Sequence, residues 1–544
     1  MKKKIALILA LGMLAGSIAG CGNPGGQDTG DSSGAGDNRT SEKTGSNSEG
    51  NNESTPAASS KDTVVIATAV EPIYFFMQQE PATAASLGQD AIVLYNIYDY
   101  LFNLDESGAL EPSIGLEYTI ENDGLTYVVK IRDDAYFTNG DKVTAEDVAF
   151  SYNLVFENIP ANARGLLTGL ESAEARDETT VQFNMSTKFA AFPNCWTTRA
   201  APIISKTYYE EVGADGYQAA PLGSGPYTLG EVVSGESLTM HANEDYWGGA
   251  PAIKNVIVRP ISNVNTQFVA LQSGEVDVIL NANLASCLQL DPNVASWAYC
   301  DSATRALMLM QSNPASGSQM VDENLRKAIA CCVNREDLVI GVCEGYGSPS
   351  WYDTVPSYLG APALEDCTLA AEYDLDKAKE YLEASNYDGS PLSIYCNSGS
   401  RAEQAANIIQ GAMIAAGINA EVKAVDGGTS SAAMASGEYD MLIAESTGSQ
   451  FDTGCLGNIY TTPSFAQMMS DEAFAWMDEK IQAQRQETDP EARKALTAEI
   501  LSYMNENTIS VPLYLPAATI AFNKDLKGVV AHPQTITHLQ DWSW

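Results

Sequence analysis

Residues 112–153 read PSIGLEYTIENDGLTYVVKIRDDAYFTNGDKVTAEDVAFSYN, and this stretch decides the fold. Asn122-Asp123-Gly124 has the chemistry of a tight turn, and Tyr127–Ile131 after it has the composition of a strand. Asn139-Gly140 is typical of a hairpin turn. Thr144–Asp147 provides an N-cap followed by acidic residues, which favours a helix over Val148–Phe156. The stretch therefore predicts two strands, a turn and a helix in that order.

The order and spacing of these residues resemble a signature of the peptide/nickel family of extracellular solute-binding proteins, which serve ABC importers. Further segments along the chain resemble later motifs of the same family. They are Gly223–Tyr227 (GSGPY), Asn243–Gly249 (NEDYWGG), Asn265–Val278 (NTQFVALQSGEVDV) and Ala306–Val339. The resemblance extends from about Val64 to the C-terminus.

The resemblance implies an α/β protein with the two-lobed periplasmic-binding-protein fold of type II and an extra subdomain in the first lobe. We expect the chain to cross between the lobes near Ala303–Ala306 and near Val511–Leu513. The implied boundaries are residues 63–105, 200–303 and 512–544 for lobe I, 106–199 for the inserted subdomain and 304–511 for lobe II.

The same resemblance implies a mechanism of binding without catalysis. Ligands of open α/β sheets lie beyond the carboxyl ends of the strands, here between the lobes. Closure of the hinge would sequester a peptide or peptide-like solute, and ABC permease and ATPase subunits would receive it. A nickel, metallophore or opine ligand is the alternative within the same role. No catalytic residue and no cofactor are expected, and the protein is expected to be a monomer.

The N-terminus has the plan of a secretory signal over residues 1–20. Lys2-Lys3-Lys4 is a basic region, and Ile5–Leu14 is an apolar run too short to span a bilayer. Ala19-Gly20-Cys21-Gly22 resembles a bacterial lipobox, which implies lipidation of Cys21 and a lipid anchor on the outer face of the cell membrane. Residues 21–62 are rich in Gly, Ser and Asn and predict a disordered tether.

Composition excludes other classes of protein. The 544 residues carry 70 acidic and 30 basic side chains, a formal net charge of −40, so nucleic acid is not an expected partner. About 480 residues follow the tether, which is too long for one hydrophobic core. Ten cysteines and three histidines show no metal-ligand spacing. Cys331-Cys332 lies in an apolar helical stretch, which favours buried thiols.

Two further functional classes remain as alternatives. An enzyme would need a catalytic signature, and the chain has no Gly-x-Ser-x-Gly elbow, HExxH, P-loop or GxGxxG motif. A stand-alone surface receptor or sensor lipoprotein would have the same fold without a transporter, and genes for a neighbouring permease and ATPase would separate it from an importer subunit.

Candidate ligand residues come first from the segment Tyr439–Asp452 (YDMLIAESTGSQFD). In peptide-binding members an acidic residue here usually meets the peptide amine. This chain lacks that residue and resembles the nickel- and opine-type pattern instead. The candidates in this segment are Glu445, Thr447, Phe451 and Asp452. Glu445 is a candidate to meet a cation, or else a loop carboxylate in solvent.

The other candidates are one cation and three aromatic residues. Arg199 stands out because basic residues are rare in this chain, and its planar fork suits a carboxylate; a surface ion pair is the alternative. Trp196, Trp351 and Tyr352 are candidate walls of the ligand site. Trp247, in the DYWGG motif, is interpreted as structural.

Overall fold

The computed structural model describes residues 61–76, 90–105, 109–158, 167–198, 201–447, 452–461, 468–533 and 536–544. These parts of the chain contain eighteen strands and thirteen α-helices. The strands are β1 (Thr63–Thr68), β2 (Phe102–Leu104), β3 (Leu110–Pro112), β4 (Gly115–Glu121), β5 (Thr126–Ile131), β6 (Leu170–Asp177), β7 (Thr180–Met185), β8 (Tyr227–Val233), β9 (Ser237–Ala242), β10 (Asn255–Pro260), β11 (Val278–Leu280), β12 (Ala295–Asp301), β13 (Thr304–Met310), β14 (Gly347–Pro349), β15 (Leu392–Asn397), β16 (Ala420–Val425), β17 (Met441–Thr447) and β18 (Ser510–Asn523).

The helices range from 4 to 17 residues in length. They are α1 (Ala91–Ile97), α2 (Ala145–Asn158), α3 (Lys206–Ala219), α4 (Val264–Ser273), α5 (Leu284–Cys287), α6 (Glu323–Ala330), α7 (Arg335–Cys343), α8 (Leu375–Glu383), α9 (Arg401–Ala416), α10 (Gly427–Ser436), α11 (Leu456–Tyr460), α12 (Asp471–Gln486) and α13 (Pro490–Glu506). No helix in the described parts is long and apolar enough to cross a membrane.

Lobe I is built on a mixed sheet in which β1 lies between two parallel neighbours, β10 and β11. Strands β9 and β8 extend the sheet antiparallel on one side, and β18 pairs with β11 on the other. One face packs with α1 around Ile66, Val256 and Met240, and the other packs with α4 around Ala270 and Leu271. Burial on both faces explains why Thr63–Thr68 reads TVVIAT without polar alternation.

Lobe II has a second sheet with the order β16-β15-β17-β13-β18. Strands β15, β16 and β17 are parallel to one another, and β13 runs antiparallel to β17 and β18. Helices α6, α7 and α9 cover one face, and α12 and α13 cover the other. Cys331 and Cys332 are 2% and 1% exposed in the first of these cores, which confirms them as buried apolar side chains.

Two crossings connect the lobes. The first runs from β12 to β13, where Asp301 still pairs within lobe I and Thr304 begins the lobe II pairing. The second lies inside β18, whose residues up to Pro516 pair with lobe II and whose residues from Ala517 pair with lobe I. Pairing thus places this crossing at Pro516–Ala517, past the predicted Val511–Leu513.

Residues 112–153 form part of the subdomain. Its four-stranded antiparallel sheet has the order β4-β5-β7-β6, and α2 packs against it. The predicted strand and helix are confirmed, with the helix beginning earlier, at Ala145. Thr144 and Asp147 cap it reciprocally: the Thr144 N–H donates to Asp147 Oδ2 at 3.0 Å and the Asp147 N–H to Thr144 Oγ1 at 3.3 Å.

A buried carboxylate in lobe I holds the aromatic ring on which the subdomain residue Arg132 stacks. Asp99 is 5% exposed and accepts hydrogen bonds from Tyr246 Oη and Trp247 Nε1, both at 2.9 Å. The guanidinium of Arg132 lies 3.5 Å from the centre of the Trp247 ring. Burial raises the pKa of Asp99 to about 6, although these hydrogen bonds oppose the increase. Trp247 is therefore a structural residue, as predicted.

The first and last described residues of the chain meet at the start of β1. Trp544 Nε1 donates to the Thr63 carbonyl at 3.1 Å, and Lys61 Nζ lies 4.0 Å from the centre of the Trp544 ring. Lys61 also lies 3.6 Å from Asp277, which accepts from the Val65 N–H. Cys21 and most of the predicted tether lie outside the described residues.

Candidate functional site

Strand direction places the candidate site at the junction of the lobes. In lobe II, β13 starts at Thr304 directly after the first crossing, and Thr304 pairs with Thr447 at the end of β17. In lobe I, β11 ends at Leu280, which pairs with Ile520 three residues beyond the second crossing. The carboxyl ends of β17 and β11 therefore face the junction, where open α/β sheets bind ligands.

Three side chains form a polar cluster at this edge of lobe II. Arg401 Nε and Nη2 each lie 2.9 Å from a different oxygen of Glu445, and Tyr514 Oη donates to Glu445 Oε1 at 3.1 Å. Arg401 is the first residue of α9, in the turn that follows β15, and Tyr514 lies just before the second crossing. We refer to Arg401, Glu445 and Tyr514 as the junction cluster.

The junction cluster remains partly open. The side chains of Arg401 and Glu445 are 44% and 25% exposed. Burial, and then the charge of Glu445, raises the pKa of Tyr514 well above its ordinary value, so Tyr514 stays a hydrogen-bond donor. The cluster thus presents a guanidinium and a carboxylate side by side. When a ligand binds, each of them can release the other and pair with the ligand group of opposite charge.

A buried polar network lies behind the junction cluster. Arg305, the second residue of β13, donates from Nε to Asp353 Oδ1 at 2.5 Å, and the two side chains are 2% and 1% exposed. Tyr460 donates to the other oxygen of Asp353, and Tyr358 donates to the Ala303 carbonyl at the first crossing. This network fixes the crossing against the loops of lobe II.

Of the predicted ligand residues, the structure brings Glu445 and Thr447 to the junction. Glu445 belongs to the junction cluster, where its carboxylate contacts Arg401 and stays partly exposed. Thr447 is exposed, and its hydroxyl lies 2.7 Å from that of Thr304 across the strand pair. Both positions are compatible with ligand contact.

Asp452 and Tyr352 are placed differently. Asp452 is 1% exposed and forms an ion pair with Arg493, with Nη1 2.6 Å from Oδ2. Tyr352 is 3% exposed, and its hydroxyl donates to the Pro362 carbonyl at 3.2 Å. Both side chains are satisfied inside lobe II, so this packing favours structural roles over the predicted ligand contacts.

The two candidate tryptophans also pack against protein. Trp196 is fully buried in the subdomain core, with its ring centre 5.3 Å from Phe102 and 5.0 Å from Tyr118. This placement argues against the predicted ligand wall, because protein covers the ring in this structure. Trp351 is half-buried, and the Arg335 guanidinium lies 4.8 Å from its ring centre. Arg199 and Phe451 lie outside the described residues and stay predictions.

Arg401 and Tyr514 are not among the residues predicted from the sequence. Tyr514 is 113 positions from Arg401, and only the sheet brings them together. A signal for Arg401 was available, because Asn397–Arg401 (NSGSR) connects a strand to a helix at the edge where ligands bind. The nine described cysteines are thiols outside any disulfide, and no group of His, Cys, Asp and Glu in the described parts is arranged to hold a metal ion.

Comparisons with known proteins agree with this architecture. Residues 109–465 match the family model of bacterial extracellular solute-binding proteins, family 5, middle region. The glutathione-binding protein GsiB of Shigella flexneri is 26% identical over 467 residues, which is 82% of this chain and 89% of that protein.

Solved structures share the fold. The periplasmic binding protein DppA of Helicobacter pylori, in complex with the peptide STSA, has a TM-score of 0.70 at 21% identity and covers 88% of this chain and 98% of its own. NikZ of Campylobacter jejuni, in complex with Ni(L-His), has a TM-score of 0.74 at 20% identity, with coverage of 89% and 100%. The predicted two-lobed type II fold is confirmed. The chain belongs to the bacterial extracellular solute-binding proteins of family 5.

Proposed function

We propose that this chain is the substrate-binding lipoprotein of an ABC importer, which captures an extracellular peptide or peptide-like solute between its lobes and delivers it to the permease. The observation that carries the proposal is the junction cluster at the carboxyl ends of the lobe II strands. Family membership and the relative GsiB, a glutathione-binding protein, support the same class of ligand.

The chemistry of the junction cluster fits a zwitterion. The Arg401 guanidinium can bind a carboxylate through two parallel hydrogen bonds. Glu445 and the Tyr514 hydroxyl can bind or orient an ammonium group. The net charge of −40 repels free anions, so an acidic ligand group requires a fixed local cation. Arg199 is a second candidate for that cation and remains a proposal from the sequence.

Anchoring is proposed from the N-terminal residues alone. Lipidation of Cys21 would hold the protein on the outer face of the membrane, with residues 22–62 as the tether. Cys21→Ser is expected to release the protein from membranes of its host. Equal membrane association of the variant and the wild type would contradict the lipoprotein proposal.

A metal complex or an opine is the second candidate ligand. The segment Tyr439–Asp452 resembles nickel- and opine-type patterns, and NikZ shares the fold. A chelate with a carboxylate would use the same cationic fork, so the ligand class has to be separated by experiment.

Calorimetry and thermal unfolding with defined ligands test the proposal. We expect a dipeptide, tripeptide or glutathione to bind and to stabilise the fold by about 2.7 kcal/mol at 100-fold excess over its Kd. Arg401→Ala is expected to weaken binding by about one to two decades, since charge-assisted contacts are worth about 1.5–3 kcal/mol.

Arg176→Ala is the matched control. Arg176 also contacts a carboxylate, Glu121 at 3.0 Å, but lies on the outer face of the subdomain sheet. Affinity is expected to be unchanged in this variant. Binding of Ni(L-His) with no response to any peptide would favour the second candidate. Loss of uptake in a host lacking the gene would separate an importer subunit from a stand-alone receptor.

A further inference from the structure

The inserted subdomain contacts lobe II through residues that belong to neither crossing. Ala190, shortly after β7, donates its backbone N–H to the Arg485 carbonyl at 2.8 Å. Arg485 lies in the last turn of α12, in lobe II. The hydrogen bond therefore joins two bodies that the chain itself connects only through lobe I and the crossings.

Contacts within lobe II hold the side chain of Arg485 in place. Arg485 is buried, and its Nε and Nη2 donate to the Gly454 carbonyl at 2.9 and 2.8 Å. Gly457 leaves the space that the guanidinium occupies, because a Cβ at this position would collide with it. The guanidinium in turn lies 6.0 Å from the centre of the Phe189 ring. Lobe II thus presents a held cation to an aromatic side chain of the subdomain.

Protein covers Phe189 from both sides. Phe189 is buried in the core of the subdomain, where Tyr127 Oη donates to its carbonyl at 3.3 Å. On the lobe II side, a Cβ at Gly454 would lie 3.5 Å from the Phe189 ring, so the main chain of lobe II packs against that ring. Separation of the two bodies would return part of the ring to water, which opposes their separation.

Apolar side chains extend this interface. Leu104 of β2, in lobe I, is buried in one cluster with Val355 and Cys455 of lobe II. Cys455 directly follows Gly454, the residue whose carbonyl holds the guanidinium. The polar contact and the apolar cluster therefore involve the same short segment of lobe II.

The subdomain is attached to lobe I and would move with it. The Thr138 N–H donates to the Gly223 carbonyl at 3.0 Å, and the Ile204 N–H donates to Ser151 Oγ at 3.0 Å. Each of these hydrogen bonds joins a residue of the subdomain to a residue of lobe I. Rotation of lobe I away from lobe II would therefore break the contacts between the subdomain and Arg485.

We propose that Phe189, Ala190 and Arg485 form a latch, which stabilises the closed arrangement of the lobes through contacts between protein groups alone. The inference rests on the proposed function, in which closure captures the solute. The apparent Kd falls as the closed, binding-competent fraction rises, so the latch increases affinity without touching the solute. Arg485 is thus a positioning residue for capture, in contrast to Arg401 at the proposed solute site.

Hydrogen–deuterium exchange at the Ala190 amide tests the latch without any solute. Arg485→Met keeps the backbone carbonyl that accepts this hydrogen bond and removes the guanidinium. The Ala190 amide of the variant is expected to exchange about tenfold faster than in the wild type, because the two bodies separate more often. Arg485→Lys retains a cation and is expected to restore part of the protection.

Lys480→Met is the matched control. Lys480 is a cation of the same helix, and it pairs with Glu499 within lobe II at 2.7 Å. Exchange at Ala190 is therefore expected to stay at the wild-type rate in this variant. The amides of β5 and β17 show whether the subdomain and lobe II stay folded, and their exchange is expected to be unchanged in all of these variants.

Phe189→Leu tests the latch from the side of the subdomain. It removes the ring, keeps apolar volume and leaves lobe II unaltered, so it decides the question if Arg485→Met loosens lobe II itself. Exchange at Ala190 is expected to be about threefold faster than in the wild type. The latch is overturned if neither Arg485→Met nor Phe189→Leu accelerates this exchange, or if Lys480→Met accelerates it equally.

Glutathione distinguishes the latch from the proposed function. If glutathione binds, exchange at Ala190 is expected to slow, and Arg485→Met is expected to weaken binding about three- to tenfold. Binding that leaves exchange at Ala190 unchanged would overturn the latch. If neither glutathione nor any peptide binds, the proposed function is contradicted, whereas the comparison of Arg485→Met with Lys480→Met still decides the latch.

Discussion

Two arginine–carboxylate pairs in lobe II have the same chemistry and opposite surroundings. Arg305 and Asp353 are buried, at 2% and 1% exposure, and further donors from Tyr460 and Ser510 reach Asp353. Arg401 and Glu445 form a two-point contact at the junction, at 44% and 25% exposure. The buried pair cannot exchange partners without leaving a charge out of water, whereas the exposed pair can. The difference in exposure therefore distinguishes Arg305–Asp353, a structural contact, from Arg401–Glu445, a candidate ligand contact.

The largest expected effect comes from breaking the buried pair. Asp353→Ala leaves Arg305 buried and unpaired, which is expected to lower the free energy of unfolding by about 3–5 kcal/mol. Urea denaturation measures it, with Glu445→Ala as the control, for which a loss below about 1 kcal/mol is expected. Equal losses of unfolding free energy in Asp353→Ala and Glu445→Ala would show that the two pairs contribute equally to stability and would contradict this comparison.

A double replacement would sharpen the same comparison. Arg305→Met combined with Asp353→Leu removes both charges and keeps apolar volume, so most of the stability lost in Asp353→Ala is expected to return. Failure to recover it would show that the stability lost in Asp353→Ala comes from more than the unpaired charge of Arg305, since Tyr460 also loses its acceptor.

The next largest effect concerns Asp99, a buried carboxylate whose hydrogen-bond donors are neutral side chains. Its folded-state pKa is raised to about 6 from 3.8, so folding takes up a proton. The stabilisation is complete below about pH 4 and is lost as the pH rises to about 6. At 1.36 kcal/mol per pKa unit, the loss reaches about 3 kcal/mol.

Asp99→Asn isolates this contribution. The stability of the variant relative to the wild type is expected to increase between pH 4 and pH 7, as measured by urea denaturation across that range. Asp134→Asn is the control, because a hydrogen bond from Arg132 lowers the pKa of the exposed Asp134. The stability of Asp134→Asn relative to the wild type is expected to decrease slightly over the same pH range. A flat difference for Asp99→Asn would contradict the raised pKa.

The smallest effect is expected for the stability of the junction cluster itself. Arg401→Ala is expected to change the free energy of unfolding by less than about 1 kcal/mol, because the pair is partly exposed. Raising the salt concentration to 1 M shortens the screening length to about 3 Å and is expected to remove that difference. A larger, salt-independent loss would make Arg401 a structural residue like Arg305.

The local elements of the fold could be predicted because short-range chemistry specifies them. Thr144 and Asp147 cap α2 through contacts three residues apart, and Gly274 ends α4 with a φ of 77°, which glycine adopts at little cost. Gly140 likewise has a φ of 91° in the predicted turn. Such signals lie within a few residues of one another and need no tertiary structure.

The site could be predicted only in part. Glu445 was a candidate because it is a carboxylate in the family segment Tyr439–Asp452, but its partners lie 44 and 69 residues away and only the sheet order brings them together. Trp196 was a candidate because tryptophan suits a ligand wall, and subdomain aromatic side chains surround it instead. Long-range pairing and burial are tertiary properties that residue type does not reveal.

The contact between Trp544 and the start of β1 brings the two ends of the described part of the chain, residues 61 and 544, within a few ångströms of each other. Joining residue 544 to residue 61 by a short glycine-rich linker should therefore need no rearrangement of lobe I. New ends could be opened at Asp388–Gly389, an exposed turn of lobe II in which Gly389 has a φ of 87°. A circularly permuted protein of this kind would carry a reporter domain on lobe II, whose optical signal would change if the proposed hinge closure moves that lobe.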